Sequence, residues 1–266
     1  MNFSSLKLAY FSPTGTTKKV LEAIAEGIGI EPVEHLSVTS TNTAMKPLGN
    51  FTDELVVIGA PVYAGRLPED AVKRFKHFRA QGTRAILVVV YGNRDYEDSL
   101  LELTDLSREL GFIPVASAAF IGEHSFSTKD VPIATGRPDK KDLEKAVAFG
   151  LTIKQRISDL GSLDTTVSLK VPGNFPYKTR MPPIEGAART LASVCTTCGT
   201  CAEVCPKGAI KVNTTVETDP NLCIKCCACV KECPTQARIM DIPFVRKIAA
   251  WLNENYTHRK EPELFP

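Results

Sequence analysis

Eight of the nine cysteines in this 266-residue chain belong to two copies of one spaced motif. Each copy reads C-x-x-C-x-x-C-x-x-x-C-P, and every member of the second copy lies 28 residues after its counterpart in the first. Ala209 and Ala237 keep the same offset, which indicates a duplicated unit instead of a scatter of thiols. The motif residues are Cys195, Cys198, Cys201, Cys205 and Pro206, followed by Cys223, Cys226, Cys229, Cys233 and Pro234.

This spacing predicts two [4Fe–4S] clusters. The two-residue gaps let a loop surround one cluster with three thiolates, and the three-residue gap carries the fourth thiolate to the other cluster. The proline that follows stops the chain from folding back. One predicted ligand set is Cys195, Cys198, Cys201 and Cys233, and the other is Cys223, Cys226, Cys229 and Cys205.

Disulfides and zinc are the alternatives for these cysteines. Disulfides require an oxidising compartment, and zinc ribbons use paired C-x-x-C knuckles instead of runs of three plus one. The ninth cysteine, Cys227, lies between two predicted ligands and is expected to be a small buried residue. An alternative ligand or a redox-active thiol stays open for it. The segment closely resembles the bacterial-type dicluster ferredoxins.

The composition is that of an ordinary soluble protein. Hydrophobic residues make up 43% and charged residues 23% of the chain. The net charge of +2 gives no reason to expect binding to nucleic acid or to a membrane. No apolar run approaches the roughly 18 residues of a membrane span, and residues 1–5 do not resemble a secretory signal. With cysteines used as cluster ligands, we expect a reducing cytoplasm.

The first 160 residues alternate between strand-like and helix-like segments, which predicts an α/β sheet with parallel strands. A further amphipathic helix is predicted near the end of the chain, with docking on the body of the protein favoured over partner binding. The strands are predicted at 6–11, 33–38, 55–60, 85–91 and 112–121, and the helices at 17–27, 70–80, 97–110, 140–160 and 242–252.

The turn after the first strand predicts an anion site. A strand, a turn rich in glycine and hydroxyls, and then a helix direct amides and the positive end of the helix toward one point. The turn has neither the Walker spacing nor G-x-G-x-x-G. It resembles the S/T-x-T-G-x-T loop of flavodoxins, which holds the phosphate of FMN, and a hydroxyl-rich helix cap is the alternative. The resemblance implies phosphate contacts from Ser12, Thr14, Gly15, Thr16 and Thr17.

Two further loops follow the third and fourth strands. In a flavodoxin-like sheet of order 2-1-3-4-5, these loops meet the first one at the carboxyl edge. A tyrosine there would offer a face to the flavin ring, or would simply pack, and the amides of Gly65, Gly92 and Asn93 would bond the pyrimidine edge. The candidate residues are Pro61, Val62, Tyr63 and Gly65 in one loop, and Tyr91, Gly92, Asn93 and Tyr96 in the other.

His124 follows the fifth predicted strand, at the same edge of the sheet. Because histidine titrates near neutral pH, this side chain is a candidate for covering the flavin or passing it protons. A loop histidine with local hydrogen bonds is the alternative.

The whole chain resembles the anaerobic flavoproteins in which a flavodoxin domain precedes a dicluster ferredoxin domain. The expected fold is a doubly wound parallel five-stranded sheet followed by a small α+β domain. The resemblance implies FMN, two [4Fe–4S] clusters and electron traffic between them. The expected divisions are residues 1–160 for the flavodoxin-like domain, 161–190 for an ordered linker, 191–240 for the ferredoxin domain, and 241–266 for a helix and tail.

Three functions are compatible with the sequence. The first is an electron-transfer protein of low-potential anaerobic metabolism, with a ferredoxin-like donor or acceptor as its partner. The second is an FMN-dependent reductase of a small substrate that the clusters supply with electrons. The third makes the clusters structural and the first domain a binding module. Both directions of electron flow, and a homodimer as well as a monomer, are compatible with the sequence.

Overall fold

A six-stranded sheet forms the centre of the first domain. The computed structural model describes residues 3–41, 50–159 and 169–266. The strands of this sheet are β1 (Leu6–Tyr10), β2 (Val33–Ser37), β4 (Leu55–Pro61), β6 (Thr83–Tyr91), β7 (Phe112–Ile121) and β12 (Glu263–Phe265), and β3 (Asn50–Phe51) pairs separately with β5 (Arg79–Ala80). Five parallel strands lie in the order β2-β1-β4-β6-β7, which is the predicted 2-1-3-4-5 order, and β12 pairs antiparallel with β7 at the edge.

Helices cover both faces of this sheet. On one face, α2 (Glu69–Phe75) and α3 (Ser99–Glu109) pack on alternate side chains of the strands, such as Val56 and Ile58. On the other face, α1 (Thr16–Ile28) and α4 (Lys140–Asp159) cover Leu55 and Val57. The two helices α1 and α4 approach so closely that a Cβ at Gly27 would lie 2.0 Å from the Val147 carbonyl oxygen. Burial on both faces explains why β4 is an unbroken apolar run.

Two predicted features differ in the structure. The helix predicted at 70–80 ends at Phe75, because Phe75 and Phe78 turn inward and pack with Phe51 in one aromatic cluster. Burying these rings stabilises a turn, after which Arg79 and Ala80 form β5. The sheet also has a sixth strand, β12, in a polar tail whose residues show no strand pattern. The passage predicted to be irregular, up to residue 51, lies partly outside the described residues.

The second domain repeats its secondary structure with the 28-residue offset of its cysteines. The short helices α5 (Thr200–Glu203) and α6 (Ala228–Lys231) are counterparts. Two hairpin-like pairs are formed by β9 (Ile210–Val212) with β10 (Val216–Thr218), and by β8 (Arg189–Thr190) with β11 (Arg238–Ile239). The duplicated sequence therefore folds into two equivalent halves. The helix predicted at 242–252 is α7 (Pro243–Asn255).

The connector between the domains lies along α3 where it is described. Asp98 accepts hydrogen bonds from the backbone N–H groups of Asn174 at 2.8 Å and Lys178 at 2.6 Å. The hydroxyl of Tyr177 donates to Asp105. Arg108 also donates to the Leu169 carbonyl at 3.0 Å, so the connector contacts the first domain from residue 169 onward. Residues 161–168 of the predicted linker lie outside the described residues. No helix in the described ranges is long and apolar enough to span a membrane.

Candidate functional site

A cavity of about 1170 Å³ opens at the carboxyl ends of β1, β4, β6 and β7. Its walls come from the three predicted loops, from the connector, from α7 and from the segment around Cys223 in the second domain. The structure therefore places both domains around one space. The predicted residues that line it are Ser12, Thr14, Thr16, Thr17, Pro61, Val62, Tyr63, Gly65, Tyr91, Gly92 and His124.

The first loop presents a helix end without any acidic side chain. Gly15 precedes α1 in the left-handed region with φ 78°, and a Cβ there would meet nothing within 4 Å. Ser12 Oγ accepts the Lys18 amide at 3.1 Å, and the Gly15 carbonyl accepts the Lys19 amide. The amides of Thr16 and Thr17, in the first turn, have no acceptor within the helix. This end of α1 is therefore suited to an anion.

Thr17 supplies a specific test of that fit. Its side chain is fully buried, and Oγ1 has no hydrogen-bond partner among the described residues. A buried hydroxyl without a partner costs about 1–3 kcal/mol, whereas a phosphate oxygen in the adjacent cavity would satisfy it. Thr14 and Thr16 place two more hydroxyls there, 3.4 Å apart. The residues present fit the phosphate of FMN.

The second loop is a tight turn that brings Tyr63 next to the cysteines. The backbone groups of Tyr63 and Arg66 bond each other at 2.9 and 3.1 Å around Ala64 and Gly65, both with positive φ. At Gly65 a Cβ would also lie 1.9 Å from Glu97 Oε2, so glycine is required. Burial raises the pKa of Tyr63 well above its ordinary value, and negative charge on Cys226 and Cys227 raises it further. Within this loop, Tyr63 is thus a residue close to the second cysteine run.

Some residues of the third loop line the cavity, and others contact the C-terminal tail. Tyr91 and Gly92 line the cavity, and a Cβ at Gly92 would lie 2.3 Å from Cδ2 of His124. Asn93, Tyr96 and Gly15 are not among the residues that line it. The Tyr96 hydroxyl donates to Glu263 at 2.8 Å. The structure therefore directs the side chains of Asn93 and Tyr96 toward the tail, and not toward the space predicted for the flavin.

His124 is held as a neutral hydrogen-bond donor. Its Nδ1 accepts the Phe126 amide at 3.1 Å, which leaves the proton of the neutral ring on Nε2. Burial lowers the pKa of His124 to about 4, and the positive charges of Lys231 and Arg94 act in the same direction. At neutral pH the ring can donate a hydrogen bond but carries no extra proton.

This lowered pKa predicts a pH-dependent stability. The unfolded chain takes up the proton near pH 6.5, but the folded protein does so only near pH 4, so folding stability falls as the pH decreases through this range. We expect His124 to account for a loss of about 2 kcal/mol between pH 7.5 and 5. Urea unfolding of the wild type and His124→Gln at both pH values measures it. The exposed His258→Gln variant is the control, and equal pH slopes for His124→Gln and the wild type would contradict the prediction.

The C-terminal tail, residues 256–266, forms hydrogen bonds with the third loop. Asn93, at φ 67°, donates through Nδ2 to the carbonyls of Tyr256 at 2.7 Å and His258 at 2.9 Å. Lys260 donates through Nζ to the Arg94 carbonyl at 2.7 Å. With β12 on the sheet edge, these bonds hold the tail over residues 93–96.

We expect Asn93→Gly to release this tail while keeping the positive φ that the loop needs. Losing the buried hydrogen bonds should cost about 1–3 kcal/mol of docking free energy. Trypsin cleavage after Arg259 and Lys260 should then become roughly 10–100 times faster, because cleavage follows the open population. Asn213→Gly, in the exposed turn between β9 and β10, is the matched control. Unchanged cleavage in Asn93→Gly would show that Asn93 does not hold the tail.

The four ligands of the second predicted cluster line one small cavity. Cys205, which comes from the first run, faces it together with Cys223, Cys226 and Cys229. Burial is the largest cause that raises the pKa of the Cys226 thiol to about 12, and charges on the other three thiols raise it further. The fourth cysteine of the first run therefore lies with three cysteines of the second run, as the spacing predicts. Ile210, Ile224 and Met240 give this cavity apolar walls.

The other predicted ligand set is more open. Cys201 is buried, Cys198 is exposed, and Cys195 and Cys233 are half-buried. Burial raises the pKa of the Cys201 thiol, and negative charge on Cys198 raises it further. Within the described ranges no three His, Cys, Asp or Glu side chains are grouped to hold a single metal ion. Cys227 is only 2% exposed, and its Sγ lies 3.6 Å from the Lys225 carbonyl. It is buried, as the sequence predicts.

Polar contacts join the two domains around these sites. Lys207, next to the first motif proline, bonds Asp70 of α2 at 2.6 Å. Arg74 of the same helix donates to the Pro206 carbonyl. On the other side, Lys231 bonds Glu123 beside His124. These contacts hold the cysteine motifs against the loops that line the large cavity.

The described fold combines a flavodoxin-type parallel sheet with a smaller C-terminal segment that carries both cysteine runs. A family model described as a flavodoxin domain matches residues 7–104, and a model described as a 4Fe-4S binding domain matches residues 191–211 and 216–239. This chain is therefore a fusion of a flavodoxin domain with a ferredoxin-type domain. The two domains indicate an electron-transfer protein with flavin and iron–sulfur centres.

Several solved structures resemble part of this chain. A flavodoxin from the domain Archaea is 18% identical, covers 58% of this chain and 99% of its own, and has a TM-score of 0.38. Oxidised flavodoxin 1 from Bacillus cereus is 18% identical over 55% of this chain and 95% of its own, with a TM-score of 0.36. Rubredoxin oxygen:oxidoreductase from Desulfovibrio gigas is 15% identical over 58% of this chain and 36% of its own, with a TM-score of 0.42. The comparison with curated proteins gave no match.

Proposed function

We propose that this chain relays electrons between two [4Fe–4S] clusters and FMN within one polypeptide. The observation that carries the proposal is the shared cavity, which the phosphate loop and the Cys223 segment line together. A flavin held by the first domain would then contact the second domain directly. No diffusional encounter between separate carriers would be needed.

The positions of the cysteines support an order for the relay. Of the eight predicted ligands, Cys223 alone lines the large cavity, in the part of the chain that the structure describes. Tyr63 also lines that cavity, and it is near enough to Cys226 for charge on that thiol to raise the pKa of Tyr63. We therefore assign the set Cys223, Cys226, Cys229 and Cys205 to the cluster proximal to the flavin. The set Cys195, Cys198, Cys201 and Cys233 is then distal and faces incoming partners.

The residues have distinct roles in this proposal. When bound, the clusters supply one-electron steps, and FMN supplies one- or two-electron steps with protons. The end of α1, with Thr17 Oγ1, binds the phosphate. Tyr63 and Tyr91 border the ring space, and the neutral His124 offers a hydrogen bond from Nε2. Lys207 and Arg74 keep the proximal cysteines against the cavity.

Reduction of a small substrate is the second candidate. The cavity extends beyond the residues assigned to FMN, to an apolar wall formed by Met181, Ile184, Trp251 and Leu252. Such a wall beside a redox group suits an uncharged organic substrate. Saturable acceleration of flavin reoxidation by one such compound would favour this enzyme over a carrier.

We further propose a cytoplasmic setting in anaerobic low-potential metabolism, with a ferredoxin-like protein as donor or acceptor. Free cluster thiolates survive in a reducing compartment. The exposed Cys198 makes the distal set the more accessible one for a partner. A homodimer is a separate proposal, for which sedimentation of the intact protein is the measurement.

An anaerobic reductive titration of air-free protein tests the relay. Iron, sulfide and flavin are assayed on the same sample, and absorbance and EPR follow the reduction. We expect about eight irons and one FMN per chain, with electrons redistributing between the centres in linked steps. Full iron with no flavin, even after FMN is added, would overturn the relay. Clusters that cannot be reduced reversibly would favour a structural role for them.

A further inference from the structure

Arg238 breaks the symmetry of the duplicated domain. The 28-residue offset makes it the counterpart of Ile210, and the helices and strands around the two positions also correspond. Ile210 is 7% exposed and Arg238 only 2%. One half of the domain therefore buries an apolar side chain where the other buries a permanent positive charge.

The contacts of Arg238 leave that charge without a carboxylate. Nη1 donates to Thr190 Oγ1 at 2.5 Å, and Nη2 donates to Thr218 Oγ1 at 2.6 Å and to the Ala188 carbonyl at 3.0 Å. Nη2 also lies 3.9 Å from Cys229 Sγ. Among the described residues Nε has no partner and the guanidinium makes no ion pair. Burying an unpaired cation costs several kcal/mol, so a negative group is expected beside it.

The cysteines are the negative groups in reach. The charge of Arg238 acts on two thiols, Cys229 and Cys201, which belong to the two different predicted ligand sets. Only Cys229 also has a direct contact with the guanidinium. A cluster with its thiolates gains one further negative charge on reduction, and a nearby cation stabilises that state. Charge and hydrogen bonds at the sulfurs are known determinants of cluster potential.

We propose that Arg238 raises the reduction potential of the cluster bound by Cys223, Cys226, Cys229 and Cys205 above that of its partner. The inference rests on the proposed two-cluster function and deepens it. Reduction adds one electron from a low-potential one-electron donor and makes or breaks no bond. Arg238 would thereby favour the electron on the cluster nearest the flavin, and it would act as a potential-setting residue.

The test replaces Arg238 with the residue of the other half, as Arg238→Ile, and follows both clusters by EPR during a redox titration of intact protein. At a fixed potential, the reduced-to-oxidised ratio of the proximal cluster should fall at least tenfold, which corresponds to about 59 mV for one electron. The distal cluster should shift less. Arg246→Ile, which removes an exposed arginine that pairs with Asp241, should leave both potentials unchanged.

Two further variants keep the test decisive if Arg238→Ile does not assemble its clusters. Arg238→Lys retains the charge and should keep potentials near those of the wild type, whereas Arg238→Gln retains donors without charge and should shift them. Wild-type potentials in a fully iron-loaded Arg238→Ile or Arg238→Gln protein would overturn the proposal and assign Arg238 a structural role. A wild-type protein with far fewer than about eight irons would instead overturn the two-cluster function itself.

Discussion

Cys226→Ala is expected to lower the iron content of air-free protein from about eight to about four atoms per chain. Cys226 faces the small cavity with the other three predicted proximal ligands, and an alanine there removes one of four thiolates. The proximal cluster should be lost while the distal one stays. Electrons supplied by a one-electron donor should then reach the flavin much more slowly. Iron and sulfide assays with EPR measure the first effect, and rapid-mixing absorbance measures the second.

The chain provides a matched control at the next residue. Cys227 is also buried, in the same loop, but belongs to neither predicted set. Cys227→Ala should therefore keep about eight irons and wild-type EPR signals. Loss of four irons from Cys227→Ala, or full iron in Cys226→Ala, would show that the ligand assignment is wrong.

Thr17→Val is expected to change FMN binding and the stability of the flavin-free protein in opposite directions. Valine keeps the shape of threonine but removes the buried hydroxyl that has no partner. A hydrogen bond to a charged group contributes about 1.5–3 kcal/mol, so FMN should bind roughly 10–100 times more weakly. The flavin-free protein should become more stable, because the unpaired hydroxyl is gone. Fluorescence titration with FMN and urea unfolding measure the two quantities.

Ser117→Ala is the control for this variant. Ser117 Oγ is also buried without a partner among the described residues, but it lies in β7 and does not line the cavity. Removing the Ser117 hydroxyl should leave the affinity for FMN unchanged. If Thr17→Val bound FMN as tightly as the wild type, the phosphate would not be at this end of α1.

The sheet and the cysteine crossing could be predicted because each rests on a local pattern. Buried parallel strands are continuous apolar runs, such as 55–60, and the strand-loop-helix order fixes where their carboxyl ends meet. The position of Cys205 beside Cys223 follows from a cysteine spacing that occurs twice in the chain. The residues from Ser12 to Thr17 could be predicted for the same reason, because a single turn between β1 and α1 places them all at the same end of the helix.

The remaining site depends on contacts between distant segments, which local patterns do not encode. Asn93 and Tyr96 looked like flavin residues because of their loop, but residues 256–263 bond their side chains. The polar tail has no alternation of apolar and polar residues that would predict a strand. Its residues 263–265 form β12 because they pair with the free edge of β7. Arg238 is different, because aligning the two halves at 28 residues exposes it opposite Ile210. That signal was available in the sequence.

The position of β12 also affects how this protein is made. The sheet of the first domain gains its sixth strand from residues 263–265, which a ribosome adds after the cysteine-bearing segment. The first domain therefore does not contain all of its own sheet, and cutting the chain near residue 160 would expose the outer edge of β7. Unprotected sheet edges pair readily with other chains. In this protein, completion of the flavodoxin-type sheet therefore waits for the cysteine-bearing segment to be synthesised.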